Sequence, residues 1–135
     1  MNIRMEEVEK FKEEAERLFK NYIEHRHRGE LWKAGEYLWA TLQALLLGLA
    51  RAMGKEIAAK HGALRRFTIE LADVVGDTGI LDAFKDGERL HANFYHPGLL
   101  DDEEVIEAIV KLESYVEKLS ELLERELKRL SCHGT

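Results

Sequence analysis

Cysteine is almost missing from this 135-residue chain, and Cys132, near the C-terminal end, is its only example. An intrachain disulfide is therefore impossible, and a cysteine-based zinc site lacks its ligands. The expected setting is a reducing, cytoplasmic one. Proline occurs once, at Pro97, and glycine ten times, too little punctuation for a turn-rich β architecture. Asparagine is limited to Asn2, Asn21 and Asn93, a scarcity that accords with a thermophilic source. Long apolar runs are absent too: the longest, Leu38 to Ala50, is interrupted by Thr41, Gln43 and Gly48. It falls short of the roughly 20 residues of a membrane span, so no membrane association is expected. Met1 runs directly into the charged stretch Met5 to Lys20, which is not the pattern of a signal peptide.

What the chain does have is charge and helical periodicity. Lys and Arg total 20 against 26 Asp and Glu, a formal net charge of −6, which disfavours a nucleic-acid partner unless positive charge is locally concentrated. Such a concentration exists in the sequence. Arg51, Lys55, Lys60, Arg65 and Arg66 share a stretch with Glu56 as the sole carboxylate, whereas Asp101 to Glu126 is dominated by carboxylates.

The expected fold class is all-α, an antiparallel bundle of about five helices in one domain over residues 1–131, with a frayed tail at 132–135. Met5, Val8, Phe11, Ala15, Leu18, Phe19 and Tyr22 recur at spacings of three and four and predict a helix over about 3–27, stopped by Gly29. The stretch from Leu31 to about Met53 is apolar on most sides, so it should form the centre of the bundle or bury one face in a partner subunit. A third helix carries Leu64, Phe67, Leu71 and Val75 and ends at Gly76. Asp77 or Thr78 can cap a fourth, from about Gly79 to Phe94, where Gly87 predicts a bend or break. Pro97-Gly98 is the strongest turn signal and places His96 at or beyond the helix end. Asp101 and Glu104 form a capping-box-like start to the last helix. Its Val105, Ile109, Leu112, Val116, Leu119 and Leu123 step by four and three, a seam continued by Leu127 and Leu130. The apolar second helix and this seam together predict a symmetric homodimer.

Imidazole exchanges protons near neutral pH, so the six histidines are the first candidates for chemistry. His25 and His27 fall on different faces of a helix, and His133 lies in the tail; all three read as ordinary surface residues. His61, in the basic connection, either contacts phosphate or caps a helix end. Arg89 to His96 is the densest stretch, holding a guanidinium, two imidazoles, an amide and a phenol. Arg89, Asn93 and His96 share one helical stripe, His91 and Tyr95 another. On one reading His91, Asn93 and Tyr95 merely fasten the helix end to its neighbours while Arg89 and His96 sit on the surface. On others the stretch cleaves RNA or binds a nucleotide or another small phosphate ligand, with His61, Arg65 and Arg66 as further binding residues. No metal or other cofactor is expected, since there is no His-x-x-x-His pair and Gly54 and Gly62 lack the strand and Gly-Lys-Ser/Thr of a phosphate loop.

Leu90-His91-Ala92-Asn93-Phe94-Tyr95 resembles the Leu-His-x-Asn-Phe-Tyr signature of the archaeal PaREP family, and Gly35-Glu36-Tyr37-Leu38-Trp39-Ala40 resembles that family's small-residue-rich second helix. His61, the acidic opening of the last helix and the length extend the resemblance over nearly the whole chain. It implies a HEPN-like helical fold. Catalytic HEPN proteins are typically metal-independent endoribonucleases, some of them toxins held by an antitoxin-like partner, in which two subunits bring Arg and His to one cleft. Their Arg and His are four to six residues apart, so the resemblance implies Arg89 and His96 as a catalytic pair. Leu90 departs from the pattern, which commonly has a polar residue after the arginine. The alternative is a noncatalytic helical interaction, nucleotide- or RNA-binding protein within a partner complex.

Overall fold

The computed structural model describes residues 3–133, and within them the chain is all-helical. The elements are α1 (Ile3–His27), α2 (Leu31–Ala52), α3 (His61–Val75), α4 (Gly79–Tyr95) and α5 (Asp102–His133). The periodic apolar residues lie where the pattern places them, except Val75, which is exposed at the end of α3. Thirteen of the 22 residues of α2 are buried, and α2 touches all four other helices. The seam of α5 from Val105 to Leu130 is also buried, against α1, α2 and α4 of the same chain. The two apolar surfaces that suggested a homodimer are therefore consumed within one chain. Packing α2 on all sides requires four neighbours, and this chain supplies them itself.

Helix ends follow local chemistry. Gly76, at φ +77°, takes the left-handed conformation that closes α3, and the Asp77 N–H then reaches back to the Ala72 carbonyl at 3.0 Å. Asp77 also opens α4, its carboxylate accepting the Gly79 N–H at 2.9 Å and the Tyr115 hydroxyl at 3.1 Å. His96, Pro97, Gly98 and Leu99 make a turn with Gly98 at φ +97° and a bond of 3.3 Å from the Leu99 N–H to the His96 carbonyl. The capping box at α5 is reciprocal: the Glu104 N–H donates to Asp101 at 2.8 Å and the Asp101 N–H donates to Glu104 at 3.1 Å. Arg129 donates to the Ala52 carbonyl at 3.3 Å and so satisfies the end of α2 from across the bundle.

Two expectations are corrected. Gly87 neither bends nor breaks α4, which is continuous from Gly79 to Tyr95. A Cβ there would stand 2.3 Å from Cε3 of Trp39, so glycine is required by the close approach of the Trp39 ring, and the helix bears its propensity cost for that packing. α5 continues past the expected domain end at 131, through Cys132 to His133; residues 134 and 135 lie outside the described residues.

Helices α2 and α4 run antiparallel in a tight register. Gly35 faces Leu90, Glu36 faces His91, Trp39 faces Gly87, and Trp32 faces Phe94. This register decides which polar groups meet.

Candidate functional site

Along α2, Trp32, Glu36 and Trp39 fall on one stripe at spacings of four and three, and along α4 so do Phe84, Glu88, His91 and Tyr95. The antiparallel crossing lays these stripes side by side, and His61, the first residue of α3, closes the group. At the centre lies the Trp39 ring, 2% exposed, edge-on to Phe84 at 5.1 Å between centroids. His61 is tilted against Trp39 at 5.7 Å and His91 at 5.9 Å.

Each imidazole is held by a carboxylate from a different helix. His91 shares its Nδ1 proton with both oxygens of Glu36, at 2.8 and 2.9 Å. His61 Nε2 bonds Glu88, which also accepts Arg65 at 3.4 Å. The carboxylates are sheltered, with side chains 20% (Glu36) and 21% (Glu88) exposed, while the imidazoles remain 39% (His91) and 49% (His61) open to solvent. A carboxylate on one ring nitrogen fixes the tautomer and leaves the other nitrogen to exchange a proton. Among the described residues no hydrogen bond reaches His91 Nε2 or His61 Nδ1.

The other expected site residues are distributed differently. Arg65 belongs to the group; Arg66, one residue on, is exposed and lies on the neighbouring stripe of α3 with Gly62. Asn93 is buried and accepts the Leu100 N–H at 3.0 Å, so it ties the turn after α4 to the helix and does not face the site. Tyr95 joins the group through His91, ring to ring at 5.1 Å, but its side is open. Arg89 points toward α5, reaching Asp86 at 3.6 Å and Glu104 at 3.5 Å. Burial pushes the Asp86 carboxyl above its ordinary range, and Lys111 and Arg89 pull it back; the guanidinium is a counter-charge to a nearly buried carboxylate. His96 is exposed and is the first residue beyond the helix, with φ −129° and ψ 75°. No hydrogen bond or ion pair joins Arg89 to His96 among the described residues.

Glu36, Trp39 and Glu88 escaped the sequence reading. Glu88-Arg89-Leu90-His91 carries the Glu-x-x-His spacing that could have drawn attention to Glu88. Nothing local marks Glu36 as the partner of His91, since 55 residues separate them. Two further readings change. His25 is not an ordinary surface residue: it stacks on Tyr37 at 5.0 Å and bonds Glu30 at 3.0 Å. The basic stretch is largely neutralised from other elements, Arg51 by Glu7, Lys55 by Glu70 and Arg65 by Glu88. His133's side chain lies outside the described residues.

Among the described residues no group of three or more His, Cys, Asp and Glu side chains is arranged to hold a metal ion, and no helix is long and apolar enough to cross a membrane. Compared with protein-family models, with curated proteins and with solved structures, the chain matches none.

The exposure of Tyr95 runs against the reading in which it fastens the helix end to its neighbours, and it sets a stability test. Tyr95→Phe should leave the melting temperature unchanged, within the roughly 0.5 kcal/mol of an ordinary surface substitution. His91→Ala should cost no more than about 1 kcal/mol, as for other part-exposed ion pairs. Thermal denaturation followed by circular dichroism measures both, and a drop of several degrees in Tyr95→Phe would reveal a structural role for the hydroxyl.

Proposed function

We propose that this protein is a HEPN-like, PaREP-related helical protein that cleaves RNA without a metal ion, using His61 and His91 as its acid–base pair. The observation that carries the reading is two part-exposed imidazoles from separate helices, each bonded to its own sheltered carboxylate and each packed against the Trp39 ring. Cleavage of an RNA phosphodiester by its own 2′-hydroxyl needs one group to take that proton and one to return a proton to the departing 5′-oxygen. Two imidazoles with free nitrogens supply both. Arg65 stands beside His61 on the same carboxylate, Glu88, so a phosphate that drew it from Glu88 would gain its guanidinium.

This assignment differs from the Arg89 and His96 pair that the family resemblance implies. The fork of Arg89 is turned toward α5, where it reaches Asp86 and Glu104, and no hydrogen bond or ion pair joins it to His96 among the described residues. The decisive experiment is incubation of the purified protein with varied RNAs in the presence of chelator, with analysis of the ends. Cleavage leaving 2′,3′-cyclic phosphate supports the reading, and intact RNA under all conditions overturns it.

A second reading, a helical interaction protein that joins a second copy or an antitoxin-like partner, is favoured by one groove. Ile69, Ala72, Asp73, Gly76, Thr78 and Leu81 line it where α3 meets α4, and Ile69 is 50% exposed. A mostly apolar groove of this kind suits a protein interface. On this reading light scattering should give twice the 15.6 kDa chain mass, and Ile69→Glu should return it to one. A wild-type monomer at micromolar concentration would remove self-association from this groove.

A further inference from the structure

The rings of the site do not stop at His91. Tyr95 meets His91 at 5.1 Å, Phe94 meets Tyr95 at 5.2 Å, and Trp32 stacks on Phe94 at 5.8 Å with an interplanar angle of 24°. Aromatic groups thus continue without a gap from His61 across Trp39 and His91 to Trp32. Of these rings Trp39 is core. The outer ones are not: Tyr95 is 65% exposed and Trp32 45%. Neither exposure serves the bundle, and the Tyr95 hydroxyl makes no hydrogen bond among the described residues.

Cations stand at both ends of this row. The Lys33 ammonium lies 5.1 Å over the Trp32 ring, held also by Glu30 at 3.6 Å, and at the His61 end Arg65 is paired with Glu88 while Lys60 and Arg66 are exposed on either side of it in sequence. Flat apolar faces flanked by cations and adjoining an acid–base pair are the chemistry of a strand with unstacked bases and a charged backbone. A duplex offers no free base faces to such a row.

The geometry points to a base-stacking subsite for single-stranded RNA on Tyr95 and Trp32, which seats the nucleotides beside the phosphodiester whose 2′-hydroxyl attacks while His91 and His61 move the protons. This inference rests on reading that face as an RNA site, and it adds the substrate class: single strands, with affinity carried by stacking and therefore tolerant of base identity.

The probe is a short 2′-O-methyl oligonucleotide with a fluorescent end, which lacks the attacking hydroxyl, measured by anisotropy against the full chain. The single strand should bind more tightly than a duplex of the same sequence or a strand of the same length carrying abasic sites. Tyr95→Ala and Trp32→Ala should each weaken binding roughly 5- to 100-fold, the range of one lost base stack, and Tyr95→Phe should bind like the parent. Circular dichroism checks that each variant keeps its helical signal. Equal binding of single strand, duplex and abasic strand, or Tyr95→Ala binding like the parent, overturns the subsite even where RNA is cleaved. Stacking-dependent binding without cleavage of ordinary RNA upholds the subsite and removes the catalytic assignment.

Discussion

His61→Ala and His91→Ala are each expected to slow RNA cleavage by about 10²- to 10⁴-fold, the usual contribution of a positioned acid or base, with little change in the helical circular-dichroism signal. The fold should tolerate both changes because each imidazole is substantially exposed, so neither removal opens a deep cavity. Glu36→Gln separates the orienting role from a structural one. An amide can still receive the His91 Nδ1 proton, but it cannot stabilise the imidazolium, so the rate should fall while the melting temperature holds. Arg89→Ala and His96→Ala form the contrasting pair. Cleavage should persist in both, because Arg89 serves the nearly buried Asp86 and His96 stands beyond the helix end. Loss of cleavage in these two with retention in the His61 and His91 variants would transfer the chemistry to the stretch that the family resemblance implies.

The second large effect is on stability. Trp39 is 2% exposed and fills the junction of α2, α4 and the start of α3, so Trp39→Ala should cost about 3 to 5 kcal/mol. For a chain of this size that lowers the melting temperature by roughly 10 to 25 °C. Gly87→Ala should cost about 1 to 3 kcal/mol by overpacking, although alanine is the better helix former, because its methyl group would enter the Trp39 ring. The two effects are coupled, and a double-mutant cycle isolates the coupling. In a Trp39→Leu background, Gly87→Ala should become neutral or stabilising. Additive costs would mean that the glycine is there for another reason and that the close α2–α4 approach is not what fixes the site.

Much of this architecture is legible in one dimension. The bounds of α1 and α2, the stop at Gly76, the turn at Pro97-Gly98 and the reciprocal cap of Asp101 and Glu104 all follow from groups within four or five residues of one another. Gly87 shows where local reasoning fails. Its helix propensity argued for a break, and a ring 48 positions away in the chain, Trp39, supplies the reason that glycine is kept. The stretch from Arg89 to His96 shows the same limit for chemistry. Dense in capable groups, it is divided by the helix into an inward Asn93, an α5-facing Arg89 and an α2-facing His91, so neighbours in sequence serve different surfaces.

By itself, then, the order of residues determined the helical class, the number of helices, their ends and the apolar faces they must bury, because periodicity, caps and turn residues act over a single turn of chain. The candidate site was decided only in three dimensions. Whether His91 meets Glu36, whether His61 meets Glu88, and whether Arg89 faces a carboxylate or a ligand depend on the antiparallel register of α2 on α4. That register is set by the volume of Trp39 and the missing side chain of Gly87, which touch only after the chain has folded.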